Sequence, residues 1–225
     1  MQKNFAQADY AATARQAAAE GAVLLRNYRH ALPLEEGCRV AVFGRNQLHY
    51  YRCGIGSGGM VNSAYVVSIL DALKADSDIV LNQAVLSAYE AWHEAHPLEG
   101  CNEWGEEPWS QAEMPLPEAL VQQAAKTSDA ALICIGRTAG EDHDSSAAPG
   151  SFLLTEEEER TIRLVCRYFP RSIVVLNTAG IIDMTWVKRC NPAAILYVWH
   201  GGQEGGNGAA DVLTGRVNPC GKLPD

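Results

Sequence analysis

The stretch AALICIGRTAGEDHD, residues 130–144, joins an uninterrupted apolar run to a loop of glycines and charged side chains. Seven apolar residues ending in glycine are typical of a strand that is buried on both faces of a parallel sheet. The stretch therefore predicts a central strand over 130–136 whose carboxyl end carries a polar loop.

Comparable runs occur elsewhere along the chain, and amphipathic segments separate them. The sequence predicts further strands at 39–44, 78–81, 172–177 and 193–198, and helices at 9–27, 66–75, 83–95, 117–126, from 155, 183–189 and 204–213. Residues 1–35 are interpreted as an N-terminal helix and lead-in. Alternation of buried strands with helices predicts an α/β fold, a three-layer α/β/α sandwich with a mainly parallel central sheet.

Composition narrows the classes of partner. The 225 residues suit one large domain, and the net charge of −9 argues against a nucleic acid, which needs a basic surface. No apolar run is long enough to span a membrane, and no secretory signal is evident. The seven cysteines are scattered, which argues against a disulfide framework or zinc site. We expect a cytoplasmic protein without cofactor or metal.

Three polar segments follow predicted strands: residues 53–62, 137–144 and 199–204. Parallel strands end at the same edge of a sheet, and ligands of open α/β sheets bind beyond those carboxyl ends. We therefore expect the three segments to lie together and to form a ligand site.

The first of these segments contains a G-x-G-x-x-G pattern at Gly54, Gly56 and Gly59. That pattern suggests a nucleotide-binding module of flavodoxin-like or Rossmann-like type. In such modules, however, the glycines open a helix directly after the strand, whereas ten residues separate Gly44 from Gly54 here. The nucleotide-binding module is kept as the alternative hypothesis.

Glu141 is the first of four consecutive polar residues, followed by Asp142, His143 and Asp144. Neighbouring carboxylates favour retention of a proton on one of them, which a general acid working near neutral pH requires. An exposed acidic turn is the simpler interpretation of the local sequence. Consecutive residues do not converge on one point, so a metal site is disfavoured.

Taken in order, these segments resemble the C-terminal (α/β)6-sandwich domain of glycoside hydrolase family 3, the β-glucosidase and β-xylosidase family. The resemblance covers most of the chain outside about 76–127. It rests on residues 14–27 (ARQAAAEGAVLLRN), 32–34 (LPL), 40–44 (VAVFG), 56–59 (GSGG), 136–141 (GRTAGE), 176–180 (LNTAG), 199–213 (WHGGQEGGNGAADVL) and 218–224 (NPCGKLP).

The resemblance implies a domain of a retaining enzyme that removes terminal non-reducing β-linked sugars from a β-glycoside or oligosaccharide. It places the acid/base catalyst at Glu141, with Asp142 and Asp144 next in line, and the nucleophilic aspartate on a separate (β/α)8 barrel. Sugar or aglycone contacts are expected from Ser57, Gly58, Met60, Arg137 and His143. The chain is interpreted as a fragment, inactive alone, of an enzyme in which this domain precedes the barrel.

Overall fold

The computed structural model describes residues 7–57, 59, 62–101, 106–141 and 143–224. Its centre is a six-stranded sheet with the order β1-β6-β5-β4-β2-β3. The strands are β1 (Val23–Asn27), β2 (Cys38–Phe43), β3 (Ile79–Leu81), β4 (Ala130–Gly136), β5 (Ser172–Asn177) and β6 (Ala194–Tyr197). All neighbours pair in parallel except β1, which runs antiparallel to β6. The predicted mainly parallel sheet is confirmed.

Seven α-helices flank the sheet in the described part of the chain: α1 (Gln7–Gly21), α2 (Ile69–Ala75), α3 (Gln83–Ala95), α4 (Glu118–Thr127), α5 (Glu156–Tyr168), α6 (Trp186–Cys190) and α7 (Gly205–Leu213). Helices α1, α2 and α7 contribute to one apolar core, and α3 to α6 contribute to the other. Strand β4 contributes side chains to both cores, because Leu132 faces the first core and Ile133 faces the second. Burial on both faces explains its uninterrupted apolar sequence.

The prediction of one helix over 9–27 was wrong for its last six residues. Helix α1 ends at Gly21, and Val23 begins strand β1, which pairs with Tyr197 of β6. Valine and leucine fit the apolar face of a helix as well as a buried strand, so they do not distinguish the two. Glycine disfavours continuation of a helix. Pairing with the open edge of β6 decides in favour of the strand.

Helix α5 begins as its sequence predicts. The hydroxyl of Thr155 accepts a hydrogen bond from the main-chain N–H of Glu158 at 3.1 Å, and the Glu158 carboxylate accepts one from Thr155 N–H at 2.7 Å. This capping box fixes the first turn of the helix that follows the 137–150 loop.

None of the helices in the described part of the chain has the length and apolarity that crossing a bilayer requires.

Candidate active site at the carboxyl edge of the sheet

The three polar segments meet at the carboxyl edge of the sheet. Ile55 forms a bridge to Gly140 and donates a main-chain hydrogen bond to Ala139 at 2.6 Å. His200 Nε2 lies 2.8 Å from the carbonyl oxygen of Arg137, which joins the second and third segments. The predicted gathering of residues 53–62, 137–144 and 199–204 is thus confirmed for their described members.

Asn177, the last residue of β5, joins two of the loops beneath the surface. Its amide nitrogen donates to the carbonyl oxygens of Tyr51 at 2.9 Å and Trp199 at 2.6 Å. Its amide oxygen accepts from Tyr51 N–H at 2.8 Å and from Asn46 Nδ2 at 3.2 Å. Because Asn177 is fully buried, these bonds fix both loops relative to the sheet.

Glu141 lies exposed on the rim of this edge. Its carboxylate oxygen Oε2 accepts a hydrogen bond from Ser57 Oγ at 2.8 Å and lies 3.4 Å from Ser57 N. The preceding Gly56 has φ +84°, and a Cβ added there would lie 2.9 Å from Glu141 Cβ. Glycine at position 56 therefore permits both the turn and the approach of Glu141. The result is an oriented carboxylate open to a molecule arriving from outside.

Arg137 does not fit the predicted contact with substrate. Its guanidinium is buried, and two of its nitrogens bind the Glu158 carboxylate at 2.6 and 2.7 Å. Further bonds go to the carbonyl oxygens of Gly136, Ser151 and Leu153. Five hydrogen bonds within the protein use the donors of the side chain. Arg137 supports the base of the 137–150 loop from below.

His143 lies beside the candidate catalytic residue with its ring stacked on Trp109, the ring centres being 4.6 Å apart. Its Nε2 atom is buried and has no hydrogen-bond partner among the described residues. Trp109 is itself held to the loop, because its carbonyl oxygen accepts from Thr138 N–H at 2.9 Å. This apolar stacking surface is compatible with the predicted substrate contact of His143. Gly58 and Met60, predicted with it, and Asp142 lie outside the described residues.

A cavity of about 480 Å³ opens beside the glycine loop. Its walls are the chain from Leu48 to Gly56 with Gly59, Val66, Ser68, Asp71, Gly100, Cys101 and Glu107. Sequence analysis missed His49, Tyr51 and Glu107 here. His49 and Tyr51 lie in the segment between β2 and the glycine loop, so their place after a strand was an available signal. The irregular 97–115 connection offered none for Glu107.

Burial governs the ionisable groups around the cavity. It raises the pKa of Tyr50 to about 12, moves that of Tyr51 further in the same direction, and lowers the pKa of His200. Burial is the largest single influence and opposes ionisation of Glu107. The hydrogen bond with His49 at 2.7 Å, the electrostatic effect of His49 and hydrogen bonds from Cys101 and Gln111 together outweigh it and lower the pKa of Glu107. The tyrosines and His200 are therefore neutral donors or acceptors near neutral pH, and Glu107 is charged.

The glycine pattern at 54–59 lacks the setting that nucleotide binding needs. A short 3₁₀ turn, Arg45–Gln47, follows β2, and the next α-helix begins only at Ile69. Phosphate binding in dinucleotide folds depends on a helix N-terminus directly after the glycines. The arrangement therefore does not support the alternative hypothesis of a nucleotide-binding module.

Comparison with known proteins gives one consistent result. Residues 22–225 match the family model of the glycosyl hydrolase family 3 C-terminal domain. A β-glucosidase of Ruminococcus albus is 48% identical over 96% of this chain and 23% of its own length. β-Glucosidase A of Butyrivibrio fibrisolvens is 34% identical over 93% of this chain and 28% of its own. The chain thus spans about a quarter of the length of these relatives.

Solved structures agree with the sequence comparison. The β-glucosidase of Paenibacillus barengoltzii superposes with a TM-score of 0.92 at 46% identity, over 96% of this chain and 24% of its own. β-Glucosidase 3B of Thermotoga neapolitana, solved with glucose, gives a TM-score of 0.84 at 35% identity, over 96% of this chain and 30% of its own. By its sequence match and by its fold, the chain belongs to glycosyl hydrolase family 3 and corresponds to the C-terminal domain of that family.

Proposed function

We propose that this domain supplies the acid/base carboxylate, Glu141, to the active site of a retaining β-glucosidase. The observation that carries the proposal is the exposed Glu141 carboxylate held by Ser57 at the carboxyl edge of the sheet, 2.8 Å from the serine hydroxyl. An acid/base catalyst must face the oxygen atom of the leaving group. The Glu141 carboxylate is exposed, and the buried hydrogen bonds of Arg137 hold the loop that carries it. The relatives named above are all called β-glucosidases, which indicates a β-glucoside as the substrate class.

The reaction needs a second carboxyl group. In retaining glycosidases the two carboxyl groups are about 5–5.5 Å apart, and the second attacks the anomeric carbon. We assign that nucleophile to an aspartate of a (β/α)8 barrel in the remaining three quarters of the enzyme. Glu141 would first give a proton to the leaving oxygen and then take one from the water that hydrolyses the glycosyl-enzyme. The cavity beside Gly56 would lie next to the bound glycoside.

The test is Glu141→Gln in a full-length enzyme that contains this domain and its barrel. We expect kcat/KM for alkyl β-glucosides to fall by about 10²–10⁴-fold, the usual value of general acid–base assistance. Aryl glucosides with good leaving groups do not need protonation, so their glycosylation step should be spared. Azide should then restore turnover of those substrates by attacking the glycosyl-enzyme in place of activated water.

Asp144→Asn is the matched control, because it removes an exposed carboxylate three residues away in the same loop. It is expected to retain activity on both substrate classes. If Asp144→Asn shows the leaving-group dependence and azide rescue instead, the acid/base role belongs to Asp144. The 225-residue chain alone should hydrolyse neither class, and turnover by the purified chain would show that the second carboxylate lies within it.

A further inference from the structure

His49, Cys101 and Glu107 form a cluster of three different metal-ligating side chains. One ligand atom from each lies within 4.8 Å of the others. His49 Nε2 is 2.7 Å from Glu107 Oε1, and both side chains are largely shielded from solvent, at 19% and 12% exposure. Cys101 is exposed at the outer side of the cluster. Cys101 and Glu107 are neighbours in the same connection, and the fold brings them to His49, which is more than 50 positions away in sequence.

We infer that His49, Cys101 and Glu107 bind a divalent transition-metal ion of the zinc class. Imidazole, thiolate and carboxylate are the three ligand types that zinc takes in proteins. Calcium and magnesium prefer oxygen ligands alone, so the thiol selects against them. The protein's net charge of −9 favours the approach of a cation.

The surroundings of the cluster suit such an ion. Gln111 Nε2 lies 3.5 Å from Cys101 Sγ and donates to the carbonyl oxygen of Glu99 at 2.8 Å, so it orients the segment that carries the thiol. The His49 ring packs edge-on against Tyr51, with the ring centres 4.8 Å apart. All three ligand residues line the cavity described above, which leaves room for water at a fourth position.

Arg45 is a cation that acts electrostatically on Cys101. Its guanidinium is held by the carbonyl oxygens of Ala112 and His96, to which it donates, and lies 4.9 Å from the ring centre of Trp92. An ion at the cluster would displace the thiol proton of Cys101 to solvent and would take the place of the hydrogen bond between His49 Nε2 and Glu107 Oε1. It would also join the 97–115 connection to the segment after β2, which are two walls of the cavity.

The experiment titrates the 225-residue chain with Co²⁺, a spectroscopic substitute for Zn²⁺. We expect a thiolate-to-cobalt charge-transfer band in the near ultraviolet that Zn²⁺ abolishes by competition. Cys101→Ser should remove the band. Glu107→Gln should weaken Co²⁺ binding by at least about 10-fold, because the loss of a residue that merely supports a metal ligand already costs about that much. Cys220→Ser, which removes another exposed thiol, should change neither. Circular dichroism checks that each variant is folded.

A second measurement uses alkylation followed by mass spectrometry. Zn²⁺ should protect Cys101 from iodoacetamide and leave Cys220 reactive, and it should raise the Tm of the parent chain but not of Cys101→Ser. Absence of a charge-transfer band would overturn the inference. So would a band that persists in Cys101→Ser, since the cluster would then be a His49–Glu107 ion pair with a cysteine beside it.

Discussion

Arg137 shows how one residue can be identified from sequence as important and yet be given the wrong role. Its position directly after β4 predicted a contact with substrate. The partner that determines its role is Glu158, 21 positions later and also part of the α5 capping box. No local pattern links the two residues, so only the fold could show that Arg137 supports the loop. Glu141 and Ser57, whose side chains are exposed, lie together as their positions after strands predicted.

The buried ion pair yields a prediction about stability. Arg137→Met leaves the Glu158 carboxylate buried without its partner, which typically costs 3–5 kcal/mol. We expect a loss of about that size in the free energy of unfolding, measured by urea denaturation. The double variant Arg137→Met, Glu158→Leu should recover part of it, because no unpaired charge then remains. Full recovery is not expected, since the Thr155 cap and three carbonyl partners are also lost.

Arg160→Met is the control for that experiment. Arg160 pairs with Glu157 in the same helix, but both side chains are partly exposed, at 41% and 30%. Exposed pairs contribute about 0–1 kcal/mol. A loss for Arg137→Met no larger than that for Arg160→Met would contradict the buried-pair assignment.

At the scale of elements, uninterrupted apolar sequence was a sufficient signal for β2, β4, β5 and β6. All four are buried on both faces except at Arg39 of β2, and no helix in the described part of the chain carries such a run. The edge strand β1 lacked that signal, since its residues suit a helix equally well and its pairing with β6 is non-local. The loops after the strands were predicted to meet, but the close contact of Gly140 with Ile55 appears only in three dimensions.

That contact predicts the effect of Gly140→Ala. The added Cβ would lie 2.4 Å from the carbonyl oxygen of Ile55, so the two loops must separate. Separation displaces Ser57 from Glu141, and a misplacement of about 1 Å can cost 10²-fold in rate. We expect kcat/KM of the full-length enzyme to fall by about 10-fold or more. Overpacking should also cost about 1–3 kcal/mol in the urea denaturation of this chain.

Gly180→Ala is the matched substitution. Gly180 also lies in a loop after a strand, but nothing comes within 4 Å of an added Cβ there. Stability and kcat/KM should both stay near those of the parent. Equal effects of the two substitutions would mean that the contact between Gly140 and Ile55 does not position the site.

At the scale of the whole molecule, the alternation of apolar runs with amphipathic segments predicted the three layers. The position of the irregular 97–115 connection in the fold could not be predicted. That connection supplies Glu107 to the cavity and Glu113 to the interior. Glu113 is a carboxyl in the protein interior that accepts main-chain hydrogen bonds from Arg45 and Met114, both at 2.8 Å. A glutamate in an irregular segment gives no sequence signal of burial, because glutamate is usually exposed.

Burial raises the pKa of Glu113 to about 7, from an ordinary value of 4.5. Between these two values the folded chain holds a proton that the unfolded chain has lost. The contribution of Glu113 to stability is therefore complete below about pH 4.5 and is lost as the pH rises toward 7. One such proton gives a slope of at most about 1.4 kcal/mol per pH unit. The two histidines His93 and His200 change the pH dependence of stability in the opposite direction. Burial lowers their pKa, so their contribution to stability is lost as the pH falls.

Glu113→Gln separates these contributions, because the substituted side chain does not titrate while both histidines remain. We expect the free energy of unfolding of the parent to decline relative to Glu113→Gln as the pH rises from 4.5 to 7, in urea denaturations at half-unit intervals. The slope is the informative quantity, since the glutamine amide faces one main-chain N–H and lowers stability at every pH. Glu36→Gln, at an exposed position, should run parallel to the parent. Parallel curves for the parent and Glu113→Gln would instead mean that Glu113 stays ionised in the interior, stabilised by the Arg45 and Met114 amides and the nearby Arg45 charge.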